Sequence, residues 1–344
     1  MHYCGIDMHK KSCEGKIEDD NETCIREGRF DNNMLGFKRF FRGINTHGMK
    51  VVIESTGFWR PAYEMLEEMG CNVTLANPHK IKVIASAKIK SDKISADMLV
   101  KLLRANLIPE SYIPDKETRE LKDLLRHRAY LGRMRTRMKN KIHALLAIKG
   151  IKHEFDDLFV NAGIEFLNNL ELDKKSKLIL NDYLGTLMNL NIKINRVSRV
   201  IEIIAKENDD ARILMSIHGI GYYSSLMILA EIGDIKRFPD SERLTSYAGL
   251  VPSSKRSGET VTYGKIIKES NKWLRWILVQ CTHMHVRKDS WITRHYNKIS
   301  KKKGKQKATI AAARKMLKAI YWMLKEKEEF HAHKSGALRQ SIAG

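Results

Sequence analysis

Two acidic residues, Asp7 and Glu54, each stand at the end of a predicted apolar strand, over residues 3–7 and 50–54. Neighbouring strands of one sheet would bring the two carboxylates together. Two close like charges repel each other unless a cation neutralises them, so the pair predicts a Mg²⁺ site. Mn²⁺ could substitute, because the ligands are all oxygen. Taken singly, either residue could be only the polar position at which a buried strand ends.

A third acidic residue, Asp92, lies in the segment KIKSDKISAD, just before an apolar helical run. Two interpretations stay open for it. Asp92 could cap the N-terminus of that helix. It could also bring a further oxygen ligand to a two-metal site that activates a nucleophile and stabilises the leaving oxygen.

The elements that must position these carboxylates are those of an α/β domain. Apolar strands alternate with turn-rich segments and helical stretches over the first hundred residues. Strands are predicted at 3–7, 12–17, 23–30, 50–54 and 72–76, and helices near 33–41 and 58–69. Three hairpin-linked strands followed by alternating helix and strand are the element order of an RNase H-like fold.

The middle of the chain is predicted to consist of long helices. Apolar residues recur at helical spacing from Leu121 to Leu146 and again within residues 174–207. This pattern favours a helical hairpin or coiled coil inserted between two catalytic lobes, with an ordinary bundle as the alternative. The last third, from about residue 211, is predicted to be mostly helical with more turns.

The charge of the chain points to a polyanionic partner. The 344 residues include 62 Lys+Arg and 40 Asp+Glu, a formal net charge of +22. Nucleic acid is the favoured polyanion and an anionic membrane surface is the rival. No apolar run approaches the ~18 residues that span a bilayer. We expect no secretory signal and, from five scattered cysteines without a C-x-x-C pair, a reducing cytoplasm.

Two basic segments are predicted to contact nucleic-acid phosphates. Residues 126–141 contain seven Lys/Arg and no acid, whereas acidic residues would normally intersperse a merely solvated face. Residues 298–318 contain nine and no acid, which predicts a basic helix or arm along a nucleic-acid backbone. The candidate ligands are Arg126, Arg128, Arg133, Arg135, Arg137, Lys139 and Lys141 in the first segment, and Lys301, Lys302, Lys303, Lys305 and Lys307 in the second.

A glycine-containing turn is a further candidate phosphate site. The segment MSIHGIG, followed by a predicted helix over 222–232, resembles a helix-hairpin-helix. Gly219 and Gly221 would let the backbone turn tightly, and the next helix N-terminus would offer N–H groups to a phosphate. A G-x-G of this kind is a weak signal by itself.

The chain resembles the DEDD transposases of prokaryotic insertion sequences, the one-ten insertion-sequence family. The matching segments follow one another in the expected order: YCGIDMHKK, VVIESTGFW, LANPHKIKVIASAKIKSDKISADML, LLRANLIPESYIP, SIHGIGYYSSLMILAEIGDIKRFPDSERLTSYAGLVPSSKRSGET and ESNKWLRWILVQCTHM. The resemblance implies a RuvC-like domain (1–114), a coiled-coil connector (115–208), a transposase domain (209–330) and a tail (331–344). It also implies a DNA recombinase of the prokaryotic nucleoid, guided by an element-encoded bridge RNA that pairs with donor and target DNA.

The family's four acidic positions are matched incompletely. Asp7, Glu54 and Asp92 match the first three, but Ser95 stands where the family places its fourth acid. Asp97 is the nearby substitute, although on a regular helix it would point elsewhere. Either a local irregularity brings Asp97 to the metal, or the site works with fewer carboxylates and more water.

The resemblance also places a catalytic serine within the segment SSKRSG, and the alignment favours Ser257 over its rivals Ser253 and Ser254. Such a serine would attack a DNA phosphate and hold the broken strand as a phosphoserine. Lys255 and Arg256 would stabilise the developing charge. Without the resemblance, a serine in a basic loop would be expected only to hydrogen-bond a phosphate. An ordinary serine is a poor nucleophile, so we expect the metal site to assist it.

The sequence thus predicts a recombinase that works as a homo-oligomer, a dimer or tetramer, because strand exchange must hold two DNA partners. Two alternatives stay open. One is a RuvC-like Mg²⁺-dependent nuclease or junction resolvase without a covalent intermediate. The other is an inactive nucleic-acid-binding derivative, which the departure at Ser95 favours and the acidic set Asp7, Glu54 and Asp92 disfavours.

Overall fold

A computed structural model describes residues 1–55, 57–78, 80–81, 95–257, 260–266 and 270–333 of the chain. Over residues 252–266 it describes only the backbone of the two strands found there. Contacts divide the protein into two compact units, Met1–Pro114 and Asp115–Gly344. Asp92 and residues 334–344 of the predicted tail lie outside the described residues.

The first unit is built on a five-stranded mixed sheet of order β3-β2-β1-β4-β5. Strands β1 to β3 form an antiparallel meander, whereas β4 runs parallel to β1 and β5 parallel to β4. The strands are β1 Tyr3–Met8, β2 Ser12–Glu18, β3 Cys24–Asp31, β4 Lys50–Glu54 and β5 Asn72–Ala76; the helices are α1 Met34–Phe40, α2 Trp59–Glu68 and α3 Ala96–Arg104. The predicted α/β class of this part of the chain is confirmed.

Helices pack on both faces of this sheet, and two glycines show which helix covers which face. A Cβ on Gly5 of β1 would lie 2.8 Å from the backbone nitrogen of Val100, so α3 rests directly on the backbone of β1. A Cβ on Gly15 of β2 would lie 2.6 Å from the ring of Phe40, so α1 covers the opposite face. Because side chains alternate along a strand, Asp7 shares the α3 face with Gly5.

In its described residues the second unit is helical apart from one hairpin. Its two long helices, over residues 116–148 and 174–207, pack along each other. One end of this pair joins the shorter helices of residues 209–326 in one hydrophobic core, and the other end packs with residues 158–167 in a second core. The helices are α4 Lys116–Ile148, α5 Asn161–Asn169, α6 Lys174–Glu207, α7 Asp209–Met215, α8 Tyr222–Ile232, α9 Ser241–Tyr247, α10 Lys272–His285, α11 Trp291–Lys303 and α12 Lys305–Glu326, with strands β6 Pro252–Ser257 and β7 Thr260–Ile266 between α9 and α10. The mostly helical character predicted for this part is confirmed, and its division at residue 208 stays a prediction.

Two local expectations need correction. The basic segment 298–318 is not one helix, because the chain breaks at Gly304, where φ is +80° and a glycine is favoured. Ala308, Ala312 and Ala313 of this segment are fully buried in the core. The serine segment, expected as a loop, forms β6 and pairs antiparallel with β7. Among the described helices, none combines the length and apolarity required to cross a membrane.

Candidate active site and nucleic-acid interface

Asp7 and Glu54 lie side by side in the first unit. The parallel ladder pairs Ile6 of β1 with Ile53 of β4, so each carboxylate occupies the next position along its strand. Neighbouring strands are about 4.8 Å apart, and paired positions project to the same face. Asp7 is only 6 % exposed. The structure thus brings together two carboxylates that are 47 residues apart in the sequence, on the sheet face that α3 covers.

The surroundings of Asp7 add one imidazole and one inert thiol. His9 Nε2 lies 3.5 Å from Asp7 Oδ2. Burial, together with the nearby Asp7 charge, raises the pKa of the Cys13 thiol to about 12, so this cysteine stays protonated at neutral pH. Glu14 faces Asp7 across the β1–β2 ladder and was missed in the sequence. The signal that could have found it is its position in a hairpin opposite Asp7.

These donors suit a hard divalent cation. Mg²⁺ prefers oxygen ligands and is usually held by one or two carboxylates, with water and substrate phosphates completing its shell. Asp7 and Glu54 provide such a pair. Within the described part of the chain no three His, Cys, Asp or Glu side chains converge as metal ligands, and Asp92 is outside that part.

Asp97, the substitute for the family's fourth acid, is held by two lysines. Asp97 does not join Asp7 and Glu54 as a third metal ligand. It accepts hydrogen bonds from Lys101 at 2.7 Å and from Lys16 of β2. These bonds, chiefly that from Lys101, hold the pKa of Asp97 below its usual range. Strands β2 and β4 flank β1 on opposite sides. Asp97 therefore contacts β2, which β1 separates from the strand of Glu54.

Ser95, at the family's usual acidic position, has a structural role. Its Oγ accepts a hydrogen bond from the backbone N–H of Met98 at 3.3 Å, which makes Ser95 the N-cap of α3. Serine is among the best residues for this position, because its short side chain satisfies an otherwise unpaired helix N–H group.

The candidate serine stands at the end of a strand in the second unit. Ser257 is the last residue of β6 and pairs with Thr260, the first residue of β7. Lys255 and Arg256 precede it in the same strand. The rival Ser254 pairs with Tyr263, farther from the connection. The hairpin backbone therefore distinguishes Ser257 from its rivals by position, while its role as nucleophile stays a prediction.

A buried carboxylate anchors the helix that follows this hairpin. Glu231 of α8 is 1 % exposed and accepts hydrogen bonds from Arg126 of α4 at 2.7 and 2.9 Å. Glu231 also accepts one at 2.9 Å from Asn271, the N-cap residue of α10. Arg126 therefore has an internal partner. The sequence interpretation missed Glu231, although an acid within the apolar segment LMILAEI is the kind of signal that indicates a buried ion pair.

We expect Glu231→Ala to lower the free energy of unfolding by about 3 kcal/mol, because truncation of a buried pair leaves the other charge uncompensated. That figure is the low end of the usual range, since the Arg126 side chain is 39 % exposed and water relieves part of the loss. Urea denaturation measures the change. Glu202→Ala is the control: its exposed pair with Lys206 should contribute less than about 0.5 kcal/mol. Equal, small effects of both variants would contradict the anchoring role.

The other cations of the α4 segment differ in their surroundings. The Arg128 guanidinium lies 4.5 Å from the ring centre of Tyr223, and burial lowers its pKa. Arg133 is exposed and lies 4.6 Å from the ring centre of Trp273. Lys139 is near Asp157, at 3.8 Å, and over the Phe159 ring. Arg137 and Lys141 are exposed and Arg135 is half-buried. The segment thus leaves Arg133, Arg137 and Lys141 most open to a ligand.

The two glycines of the predicted helix-hairpin-helix, Gly219 and Gly221, have different structural roles. Gly219, with φ of +93°, packs so closely on α10 that a Cβ would lie 2.9 Å from the carbonyl oxygen of Cys281. The buried His285 of α10 holds the same turn, with its Nδ1 2.9 Å from the carbonyl oxygen of His218. Gly221 instead is exposed and is the N-cap residue of α8. Gly219 therefore serves helix packing, and Gly221 is the position open to a ligand.

Five lysines cluster around the break at Gly304. They are exposed, three in the last turn of α11 and two in the first turn of α12: Lys301, Lys302, Lys303, Lys305 and Lys307. Cations are favourable at a helix C-terminus but unfavourable at an N-terminus, where the helix dipole is positive. The placement of Lys305 and Lys307 thus costs stability and suits a surface that meets an anion.

An α/β unit with paired carboxylates, together with a strongly basic helical unit, has the features of an enzyme that acts on DNA. Two family models match the chain: the DEDD transposase model of the IS110 type over residues 4–149 and the transposase IS116/IS110/IS902 family over residues 211–297. The chain belongs to this family of insertion-sequence transposases, which are enzymes of DNA transposition.

Relatives that are matched over most of their length agree with this family. The transposase for insertion sequence element IS1111A of Coxiella burnetii is 26 % identical over 81 % of this chain and 79 % of its own length. A probable family 20 transposase of Pseudomonas aeruginosa is 26 % identical over 82 % and 83 %. The pilin gene-inverting protein of Moraxella bovis is 26 % identical over 75 % and 74 %.

Proposed function

We propose that this transposase is an RNA-guided, site-specific DNA recombinase that uses a Mg²⁺-bound carboxylate site and Ser257 as a covalent nucleophile. The observation that carries the proposal is the juxtaposition of Asp7 and Glu54 on adjacent parallel strands. Two carboxylates on one sheet face are a costly arrangement for an apolar core and a useful one for a metal-dependent phosphoryl transfer.

We further propose that the first unit has an RNase H-like, RuvC-like fold. Support comes from the strand order, in which the central β1 joins an antiparallel meander on one side to two parallel strands on the other. Helices on both faces of this sheet and a carboxylate near the end of β1 agree with it.

In the proposed site Asp7 and Glu54 hold the cation, with Asp92 as the third ligand. Bound Mg²⁺, or Mn²⁺ in its place, would polarise a DNA phosphate and neutralise charge that develops on its oxygens. The two carboxylates would hold the cation from fixed positions on the sheet. In its described position Asp97 accepts a hydrogen bond from Lys16 and is not a metal ligand.

The serine step conserves the energy of the phosphodiester bond. The Ser257 oxygen loses its proton and forms a bond to phosphorus, while the bond from phosphorus to one sugar oxygen breaks and that oxygen takes up a proton. A sugar hydroxyl of the partner strand then attacks the phosphoserine and releases the serine, so no ATP is needed. Lys255 and Arg256, adjacent in β6, would stabilise the pentacovalent phosphorus.

The nucleic-acid partners are proposed to be donor DNA, target DNA and an element-encoded bridge RNA in the nucleoid of a prokaryotic cell. The net charge of +22 and the exposed cations of α4 and of the Gly304 region support this. The name of the Moraxella relative, a gene-inverting protein, agrees with site-specific rearrangement. Strand exchange between two DNA partners requires a homo-oligomer, a dimer or tetramer.

A second candidate is an inactive nucleic-acid-binding derivative. It is favoured by the contacts of Ser95 and Asp97, which cap α3 and bind lysines instead of completing an acidic set. A nuclease or resolvase without a covalent intermediate is a third possibility that uses the same carboxylates.

One assay separates these candidates. The purified chain is mixed with RNA transcribed from the element's flanks, labelled end-junction DNA and Mg²⁺, and is then denatured. DNA that stays attached to protein supports the recombinase. Mg²⁺-dependent cleavage without attachment supports the nuclease, and binding without cleavage supports the inactive derivative.

A further inference from the structure

The hairpin that carries Ser257 is attached to the rest of the second unit at its base. Among the described residues, β6 and β7 pair only with each other. A two-stranded hairpin is marginally stable by itself, so its direction depends on the residues at which it joins the helices. These residues are 247–250, from the end of α9, and 270–271, just before α10.

Asn271 ties the two flanks of the hairpin together. Its backbone N–H donates a hydrogen bond of 2.8 Å to the carbonyl oxygen of Tyr247. Its side-chain Nδ2 donates to the Tyr247 hydroxyl at 3.1 Å and to Glu231 Oε2 at 2.9 Å. Its Oδ1 accepts a hydrogen bond of 2.9 Å from the N–H of Leu274 and thereby caps α10. One side chain thus joins the end of α9, the start of α10 and the buried carboxylate of α8.

A second contact closes the flanks beside the hairpin. Gly249 has a φ of +66°, and a Cβ at this position would lie 2.6 Å from the Cβ of Ser270. Arg275 of α10 donates hydrogen bonds from Nη1 to the carbonyl oxygen of Gly249 at 3.4 Å and to Ser270 Oγ at 3.2 Å. The two flanks therefore approach so closely that position 249 requires a glycine.

The carboxylate that binds Asn271 also binds the long helix α4. Glu231 Oε1 accepts both hydrogen bonds from Arg126, whereas Oε2 accepts the one from Asn271. Trp273, in the first turn of α10, lies beside the same helix, with its ring centre 5.6 Å from the Arg126 guanidinium and 4.6 Å from that of Arg133. Because charge-assisted hydrogen bonds are short and directional, the base of the hairpin has a defined position relative to α4.

We propose that Glu231 and Asn271 are positioning residues for the serine step. Their hydrogen bond fixes the direction of the β6–β7 hairpin and so determines where Ser257 stands, and neither residue needs to contact the DNA. The inference rests on the proposed function for the role of Ser257. A displacement of 1 Å at a reacting group can cost about a hundredfold in rate, so a small change at the base is sufficient.

The test removes this hydrogen bond and keeps the helix cap. Asn271→Asp retains the size of the side chain and the capping oxygen, since Asp and Asn are equally good N-cap residues. It places a charged acceptor against Glu231 where a donor was. Asn208→Asp is the matched control, because Asn208 caps α7 in the same way, with 2.8 Å to the N–H of Ala211. Within the described residues, the side chain of Asn208 donates no hydrogen bond.

We expect Asn271→Asp to slow formation of the covalent DNA–protein adduct about a hundredfold and to change DNA affinity in EDTA by less than about twofold. Backbone hydrogen exchange, measured by mass spectrometry without DNA or metal, should become faster in peptides that cover residues 248–270 and stay unchanged in α12. Asn208→Asp should alter neither the adduct rate nor this exchange. Thermal melting shows that each variant is folded.

A double variant separates positioning from general destabilisation. Glu231→Gln combined with Asn271→Asp exchanges donor and acceptor, so the introduced amide can donate to the introduced carboxylate while its oxygen faces Arg126. We expect the double variant to recover the adduct rate to within about tenfold of the wild type, as coupled neighbours are not additive. Asn271→Ser, which keeps a capping oxygen on a shorter side chain, replaces Asn271→Asp if the latter does not fold.

Three results would overturn the inference. Equal slowing by Asn271→Asp and Asn208→Asp would show that only added charge matters. Unchanged exchange over residues 248–270 in Asn271→Asp would show that the hairpin does not depend on this bond. A double variant that regains slow exchange but not the adduct rate would show that hairpin direction does not limit the serine step. A wild-type chain that forms no adduct would instead refute the serine proposal, and the exchange data would still decide whether the bond holds the hairpin.

Discussion

Asp7→Asn should reduce Mg²⁺-dependent DNA cleavage by about a thousandfold or more, because about 4 kcal/mol of metal-mediated stabilisation of the transition state is lost. Asn has the size of Asp but no charge, so it cannot neutralise a divalent cation beside Glu54. The same variant should lose the gain in thermal stability that Mg²⁺ gives the wild-type chain. A ligand at 100 times its Kd stabilises the folded state by about 2.7 kcal/mol. Differential scanning fluorimetry with and without Mg²⁺ measures that gain.

Asp97→Asn is the matched control for this experiment. Its carboxylate is bound by Lys16 and Lys101 and not placed at the Asp7–Glu54 pair. We therefore expect Asp97→Asn to keep the Mg²⁺-dependent thermal shift and most of the cleavage. If Asp97→Asn is as inactive as Asp7→Asn and also loses the shift, α3 must rearrange to bring Asp97 to the metal, and the described arrangement is not the active one.

Ser257→Ala should reduce the covalent DNA–protein adduct to background and leave DNA binding unchanged. The alanine lacks the oxygen that forms the bond to phosphorus, and no other atom of the side chain replaces it. Denaturing gel electrophoresis with end-labelled DNA measures the adduct, and a mobility shift measures binding. The serine is the last residue of β6, so a small change there should not disturb the pairing of the hairpin.

Ser254→Ala and Ser253→Ala are the controls, since both serines precede Ser257 in the same strand. Each should keep the adduct. Transfer of the loss to Ser254→Ala or Ser253→Ala would move the nucleophile to that residue. Cleavage that persists without adduct in the wild type would exclude a serine intermediate and leave the nuclease alternative. Asp7→Ala beside these variants shows whether adduct formation depends on the carboxylates.

The part of the site that the sequence predicted best depends on local pattern. Apolar runs that end at Asp7 and Glu54 indicate strands, and the hairpin order of the first three strands indicates where β1 lies. Only the parallel register of β1 and β4 had to be added by the structure to place the two carboxylates side by side. The long helices could be predicted from the sequence equally well, because an apolar stripe of helical spacing is a local property.

The hairpin that carries Ser257 was not predicted, for a physical reason. Its first strand, PSSKRS, has no apolar alternation, so nothing local distinguishes it from a loop. Pairing with β7, which begins three residues after Ser257, makes it a strand. In the same way, tertiary packing buries the alanines of α12 that follow the break at Gly304, and the run of lysines and alanines does not show this locally.

By itself the sequence determined composition, periodicity and family, and thus that the chain is a basic transposase with an α/β part and a helical part. Which charges are free to act was decided only by the tertiary structure. Arg126 pairs with Glu231, 105 residues away, and Asp97 pairs with Lys16, 81 residues away. One was predicted to bind a phosphate and the other a metal ion, and each is instead paired with an opposite charge within the protein. Ion pairing depends on distance in space, and the spacing of residues along the chain does not contain it.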